Sequence, residues 1–436
     1  MFRNVTRVVL LLAASGMAGS VAAKEDLLTV YRQAVGEDRA LRAAAAELEA
    51  AREAIPQARA RLLPNAGLNA EAGTNYADPE GSGSDDYQDY SLGLRLTQPL
   101  YRRDDQLRQG QAASSVSEAE ASYAATEQDL IVRTARGYFD VLTEQATLQF
   151  VLADKEAIAR QLEQTRQRFE VGLIAITDVH EAQARYDNVL FEEIRAQNDV
   201  DNAREALRVI TAAYHGELAD LAAELPLKRP EPGNIDDWVA AAQRDNLSLV
   251  AARHGVEVAR EEIGIQRAAQ LPTVDAIAAY AHSDDNADRL GRGRLDSGRV
   301  GLELNLPLYT GGAIDSRARQ AEARFLQASE LLEQARRSVE RQTRDAYRNV
   351  NAAISGVEAL RQAVVSNQSA LDATQAGFEV GTRTIVDVLD AQRDLFRAQR
   401  DYDLARYAYV LSTLTLQQAV GSLGGDDVEQ VNRLLE

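Results

Sequence analysis

The sequence predicts a mixed α and β membrane protein: a trimeric 12-stranded β-barrel, four strands per protomer, continued by a long α-helical coiled-coil tunnel, with an internal duplication in each copy. Three observations carry this prediction. Blocks of residues recur at a nearly constant shift, two very long stretches lack proline, and short alternating segments precede each of those stretches.

The duplication comes first. Leu63-Pro64 recurs as Leu271-Pro272, and Leu96, Pro99, Leu100 and Tyr101 recur as Leu304, Pro307, Leu308 and Tyr309, both shifted by 208. Phe169-Glu170-Val171-Gly172 recurs as Phe378-Glu379-Val380-Gly381, shifted by 209. Three blocks in the same order mark a repeated unit. Residues 24–225 form the first repeat and 235–436 the second, each read as a helix, a β-hairpin and long helices. Residues 226–234, with Pro226, Pro230, Pro232 and Gly233, join them as a linker.

No proline occurs between Pro99 and Pro226, and none after Pro307. Those stretches are rich in Ala, Gln, Glu, Arg and Leu, all good helix formers. Residues 102–169 and 316–378 can each be one continuous helix, on the order of 100 Å long. A globular domain cannot bury such a helix, whereas a coiled coil or a tube can. Phe325, Leu332, Val339, Ala346, Ala353 and Leu360 recur every seventh residue, one face of a supercoiled seam. Companion positions are mostly small or polar, which favours broad helix-on-helix walls. Each long helix stops at a Val-Gly pair and resumes near Thr177 or Ile385, forming a helical hairpin tip.

The segments before the long helices have period two. Ala66, Leu68, Ala70, Ala72, Thr74 and Tyr76 alternate with Gly67, Asn69, Glu71, Gly73 and Asn75; Tyr90, Leu92, Leu94 and Leu96 alternate with Asp89, Ser91, Gly93, Arg95 and Thr97. Val300, Leu302, Leu304 and Leu306 repeat the pattern, and Val274, Ala276, Ala278 and Tyr280 do so more loosely. Such segments of about ten residues mark transmembrane strands. Residues 78–86 and 284–297, rich in Gly, Ser and Asp, read as the loops outside the membrane. Strands half-buried in a soluble sandwich give the same alternation, but two hairpins cannot also cover the apolar faces of such long helices. Four strands cannot close a barrel, and open edges are not tolerated in lipid. The chain must therefore oligomerise, and because eight strands leave a filled interior while about twelve leave a passage, three copies are favoured.

Arg3 and Arg7 followed by the apolar run from Val8 to Ala14 read as a secretory signal over residues 1–23, with cleavage after Val21-Ala22-Ala23. An uncleaved anchor is the alternative, but the run is too short to span a bilayer. The net charge of −19 argues against nucleic acid as a partner and suits a cation-favouring lumen, although acidic soluble proteins share it. With no cysteine there is no disulfide, thiolate nucleophile or Cys-ligated metal. His180, His215, His254 and His282 show no ligand spacing and read as surface residues. No nucleotide-binding or nucleophile motif occurs, so neither an enzyme nor a cofactor is expected.

The residues from Gly381 through Thr382, Arg383, Thr384, Ile385, Val386, Asp387, Val388, Leu389 and Asp390 to Ala391 resemble the inner tip of TolC-family outer-membrane efflux proteins. Phe169 through Gly172, Thr177 and Asp178 to Val179 resembles the matching tip of the first repeat, and the similarity runs over nearly all of residues 24–434. This resemblance implies a homotrimer in the outer membrane of a Gram-negative cell, with a periplasmic tunnel closed like an iris. It implies an exit duct for efflux or type I secretion, joined through a periplasmic adaptor (a membrane fusion protein) to an inner-membrane RND, MFS or ABC pump, and set in outer-membrane lipid. Arg383 would pair with Thr177 and Asp178 as a latch, Asp387 and Asp390 would ring the constriction, and Gly172 and Gly381 would meet the adaptor. Independently, Asp387 and Asp390 lie three residues apart on one helix face, so three copies would gather six carboxylates that attract cations. Where the family carries a tyrosine in the latch, this chain has Phe378, which cannot donate a hydrogen bond to Asp178. A periplasmic coiled-coil adaptor or scaffold is the alternative reading, disfavoured because it would carry compact β-domains on one hairpin.

Overall fold

A computed structural model describes residues 24–77, 85–285 and 293–436. The expected signal, most of the first expected outer loop and half of the second lie outside the described residues. Elements run in the order α1 (Leu27–Glu37), α2 (Arg39–Arg52), α3 (Ala54–Ala60), β1 (Asn65–Ala77), β2 (Asp85–Tyr101), α4 (Arg103–Glu170) and α5 (Ile176–Thr211). They continue with α6 (Ile235–Asp245), α7 (Leu247–Ala268), β3 (Thr273–Asp285), β4 (Leu295–Asn305), α8 (Ala313–Glu379), α9 (Ile385–Val420) and α10 (Gly425–Asn432).

α4 has 68 residues and α8 has 67, so each spans about 100 Å at the α-helical rise. The sequence placed their ends within a few residues. The long helices pack in the order α5–α4–α9–α8, and α7 lies against α4 and α8 nearer the sheet. The seven-residue seam of α8 is only its middle in burial: Val339 and Ala346 are buried, while Phe325, Leu332, Ala353 and Leu360 are half-buried. Between them Thr343, Val350, Ile354 and Val357 are also buried, so in this stretch the companion positions are more apolar than expected.

The cause is a single large core at mid-length of the long helices. There α1 and α10 bring Leu27, Val30, Val428 and Val431 against Tyr138, Phe139, Val350, Ile354, Tyr407 and Leu414. Phe139 stacks on Tyr407 and meets Tyr138 edge-on, with centroids 5.5 Å apart in both pairs. The Tyr138 hydroxyl lies 2.6 Å from the Ala219 carbonyl and 3.0 Å from that of Glu25, tying the chain's described start to the belt around the helices. One expectation is corrected here. His215 is no surface residue: its ring is buried and bridges Glu25 (2.6 Å) and Thr211 (2.8 Å), because the Glu25 carboxylate and the Thr211 hydroxyl satisfy both ring nitrogens.

The four strands form one antiparallel sheet in the order β1-β2-β3-β4, with β2 against β3 joining the two halves. Rows across the sheet keep the two faces apart. Leu68, Leu94 and Tyr280 share one row, and Ala66, Leu96, Ala278 and Val300 another, on the apolar face. Gly67, Arg95, Ala279 and Arg299 line up on the polar face, where Arg95 lies 3.5 Å from Glu303. The apolar row is exposed, at 87% for Val300 and 70% for Leu68. β2 begins at Asp85, four residues before the alternation is legible, and β3 extends to Asp285, so the loops are shorter than expected.

A bulge between Pro99 and Tyr101 sets Tyr101 opposite Val274, on the face of Ala276 and Ala278. Without it Tyr101 would face the polar side. Tyr90 and Tyr101 then stand on one face eleven residues apart, about 36 Å along the strand and about 25 Å high at transmembrane tilt. Tyr76, Tyr90 and Tyr280 edge the apolar band at one end, Tyr101 and the exposed Tyr309 at the other. This is the aromatic girdle pattern of a lipid-facing sheet.

Candidate functional site

At the far ends of the long helices, two hairpin tips share one backbone design. At the first, the Gly172 amide donates to the Phe169 carbonyl (2.9 Å) and the Leu173 amide to the Arg168 carbonyl (2.9 Å). At the second, the Gly381 amide donates to the Phe378 carbonyl (3.0 Å) and the Thr382 amide to the Gly377 carbonyl (2.8 Å). Both are Schellman motifs, which need a left-handed residue just past the helix end. Gly172 and Gly381 supply it, at φ of 75° and 78°. The tips carry exposed apolar side chains, among them Phe169, Val171, Leu173, Phe378 and Val380.

The tips differ where the second helix begins. Thr384 caps α9: its hydroxyl accepts from the Asp387 amide (3.2 Å), while the Thr384 amide and hydroxyl both donate to Asp387 Oδ2 (2.8 Å each). Those donors, first the backbone amide and then the hydroxyl, with Arg383 nearby, hold the Asp387 carboxyl below its ordinary value. At the first tip the capping position is Ala175, which offers no side-chain hydrogen bond, so Asp178 stands in the first turn of α5 without the box. The Thr-x-x-Asp pattern was present in the sequence, but Asp387 was read for its charge alone.

Asp390 lies one turn beyond Asp387 and pairs with Arg393 (3.3 Å). It borders a cleft of about 240 Å³ between α4, α5 and α9, lined also by Asp154, Glu192 and Arg393. Burial pushes the Asp154 carboxyl up, with Glu192 and Asp390 adding and Arg393 and Arg397 opposing. Asp154 and Arg393 were not singled out from sequence; they are over two hundred residues apart, and no local pattern joins them.

Within one copy, the expected latch is not assembled. Among the described residues Arg383 makes no ion pair with Asp178 and no hydrogen bond with Thr177, and its backbone amide donates to the Gly377 carbonyl (3.1 Å). Its side chain leans over Gly377 instead: a Cβ there would stand 2.8 Å from Arg383 Cγ. Phe378, about 40% exposed, sits at the end of α8 and has no polar contact to Asp178.

The model of the outer membrane efflux protein family matches residues 30–213 and 238–422, one segment in each repeat. The chain is 43% identical to the outer membrane protein TolC of Vibrio cholerae over 423 residues, 96% of each chain. It is 28% identical to the protease secretion protein PrtF of Dickeya chrysanthemi, covering 98% of this chain and 94% of that one. The crystal structure of the CmeC outer membrane channel of Campylobacter jejuni has the same fold, with a TM-score of 0.79 at 15% identity, covering 94% of this chain and 90% of that one.

Proposed function

The chain belongs to the outer membrane efflux protein family, and from that membership we propose that three copies close one barrel and one tunnel around a shared axis. The protein is an outer-membrane exit duct of the kind that serves efflux and type I secretion. The alternative of a periplasmic adaptor falls away with this membership and with the single two-faced sheet.

The observation that carries the trimer is the sheet itself. β1 and β4 each have a free edge, which lipid does not tolerate, and the apolar band is exposed. The same need for a neighbour exists along the tunnel. α5 and α8 are the outermost of the four long helices, and they expose Phe191, Ile194 and Val209, and Leu331 and Val365. Packing α5 of one copy on α8 of the next covers both sets. Mass measurement of the detergent-solubilised protein should give three copies; a stable monomer with full β content refutes the assembly.

In that assembly Asp390, with Asp387 a turn away, contributes the acidic ring of the constriction, and Arg383 reaches Thr177 and Asp178 of a neighbouring copy. Asp178, lacking a capping partner, is the carboxylate with free acceptor capacity. Gly172 and Gly381 turn the tips that a periplasmic adaptor contacts, and an inner-membrane RND, MFS or ABC pump supplies the substrate. Residues 1–23 direct export and are removed.

A further inference from the structure

We infer that the Thr384–Asp387 capping box and Gly377 together position Arg383 at the gate, so that Asp387 is first a positioning residue and only second a lumen charge. The inference rests on the duct reading and deepens it.

Three contacts fix the backbone on both sides of Arg383. Ahead of it, the Gly377 carbonyl accepts from both the Thr382 and Arg383 amides, at 2.8 and 3.1 Å. Behind it, the three hydrogen bonds between Thr384 and Asp387 close the start of α9. Beneath it, the missing side chain of Gly377 makes room for the arginine stem, since a Cβ would meet Cγ at 2.8 Å and the Thr382 hydroxyl at 3.2 Å. That contact is near the root of the side chain, where a rotamer change at the far end cannot relieve it.

The first tip shows that none of this is demanded by the hairpin alone. Its turn has the same Schellman bonds and the same left-handed glycine. Yet Arg168 stands where the second tip has Gly377, Ile174 where it has Arg383, and Ala175 where it has Thr384. The repeat kept the acidic residue, as Asp178 and Asp387, but the capping partner occurs only beside the arginine. Two of those bonds end on the Asp387 carboxylate, both at Oδ2, so part of its acceptor capacity toward a permeating cation is already taken up.

The test uses the full-length protein in planar bilayers, with hydrogen exchange read on the same detergent-purified samples. Thr384→Ala removes the cap and keeps every charge. It should raise exchange of the amides of 385–388 and the open probability roughly five-fold, with unchanged cation preference. Thr384→Ser should behave as the parent. Asp390→Asn should lower cation preference without altering open probability, and Asp387→Asn should move both. Gly377→Ala should raise open probability while leaving exchange at 385–388 unchanged, because it displaces the arginine and not the cap. If Thr384→Ala loosens the amides but the channel opens as the parent does, or if Thr384→Ser opens as readily as Thr384→Ala, the inference is overturned. A parent protein that forms no channel refutes the duct reading instead.

Discussion

Replacing the tip glycines separates the turn they make from the adaptor contact proposed for them. In Gly381 and Gly172 a Cβ would meet nothing within 4 Å, so alanine costs only backbone strain. A left-handed alanine costs about 1–2 kcal/mol, which raises local opening roughly 5- to 30-fold. Hydrogen exchange at the Thr382 and Leu173 amides, the outer bonds of the two Schellman motifs, reads this directly. Asparagine tolerates the left-handed region, so Gly381→Asn should restore much of the protection while adding bulk at an exposed turn. Binding of a candidate periplasmic adaptor to each purified variant completes the comparison. If the adaptor needs the bare glycine surface, both Ala and Asn lose binding although only Ala frays the tip. If the adaptor needs only the turn, Asn binds like the parent. Unchanged exchange at Thr382 in Gly381→Ala would refute the strain argument itself.

Three further outcomes are expected. Arg383→Ser should raise single-channel conductance, and Phe378→Tyr should lengthen closed times by offering Asp178 a hydroxyl; a parent-like Arg383→Ser puts the gate elsewhere. The ionised form of Asp154 is disfavoured by burial, so its cost is present above its raised folded pKa and disappears as pH falls below it. Conductance should therefore fall from neutral pH toward the upper carboxylate range as α4 tightens on α9, and Asp154→Asn should be low and flat across that window. Ala212 ends α5 in a left-handed conformation at φ 58°, where the equivalent residue of the second repeat is Gly421. Ala212→Gly should stabilise that helix end by up to about 1 kcal/mol, read as slower exchange in the last turn of α5.

The long helices were legible because proline marks where a helix cannot run, and its absence over 126 residues between Pro99 and Pro226 leaves few options. The strands were legible only where lipid and lumen differ: Leu92, Leu94 and Leu96 alternate clearly, whereas the ends of β2 and β3 near Asp85 and Asp285 are polar on both faces. The girdle position of Tyr101 was hidden because strict alternation puts it on the wrong face, and only the bulge corrects it. The belt core was illegible for another reason. Leu27, Tyr138, Tyr407 and Val428 come from elements up to four hundred residues apart, so no local period announces them. At the tips the family resemblance named the polar residues, but the capping box that binds Asp387 became evident only as geometry.

The contrast between belt and tip fits what the proposed gate requires. In the belt, Arg406 is buried and its guanidinium reaches Asp403 (2.9 Å) and the Leu221 carbonyl (2.9 Å), and the Tyr407 hydroxyl donates to Asp220 (2.7 Å). Removing one partner of such a buried set costs roughly 3–5 kcal/mol, so this level holds while others move. At the tip the polar contacts are exposed, and a surface ion pair contributes at most about 1 kcal/mol. In the proposed trimer, three Arg383 latches would total at most about 3 kcal/mol and would keep the open state near one per cent. That is tight enough to limit leakage, and weak enough for a partner's binding at the exposed Val171, Leu173 and Val380 to reverse it. A latch built like the Arg406 cluster would demand far more of that partner, which is why a phenylalanine at position 378, contributing no hydrogen bond, is compatible with a working gate.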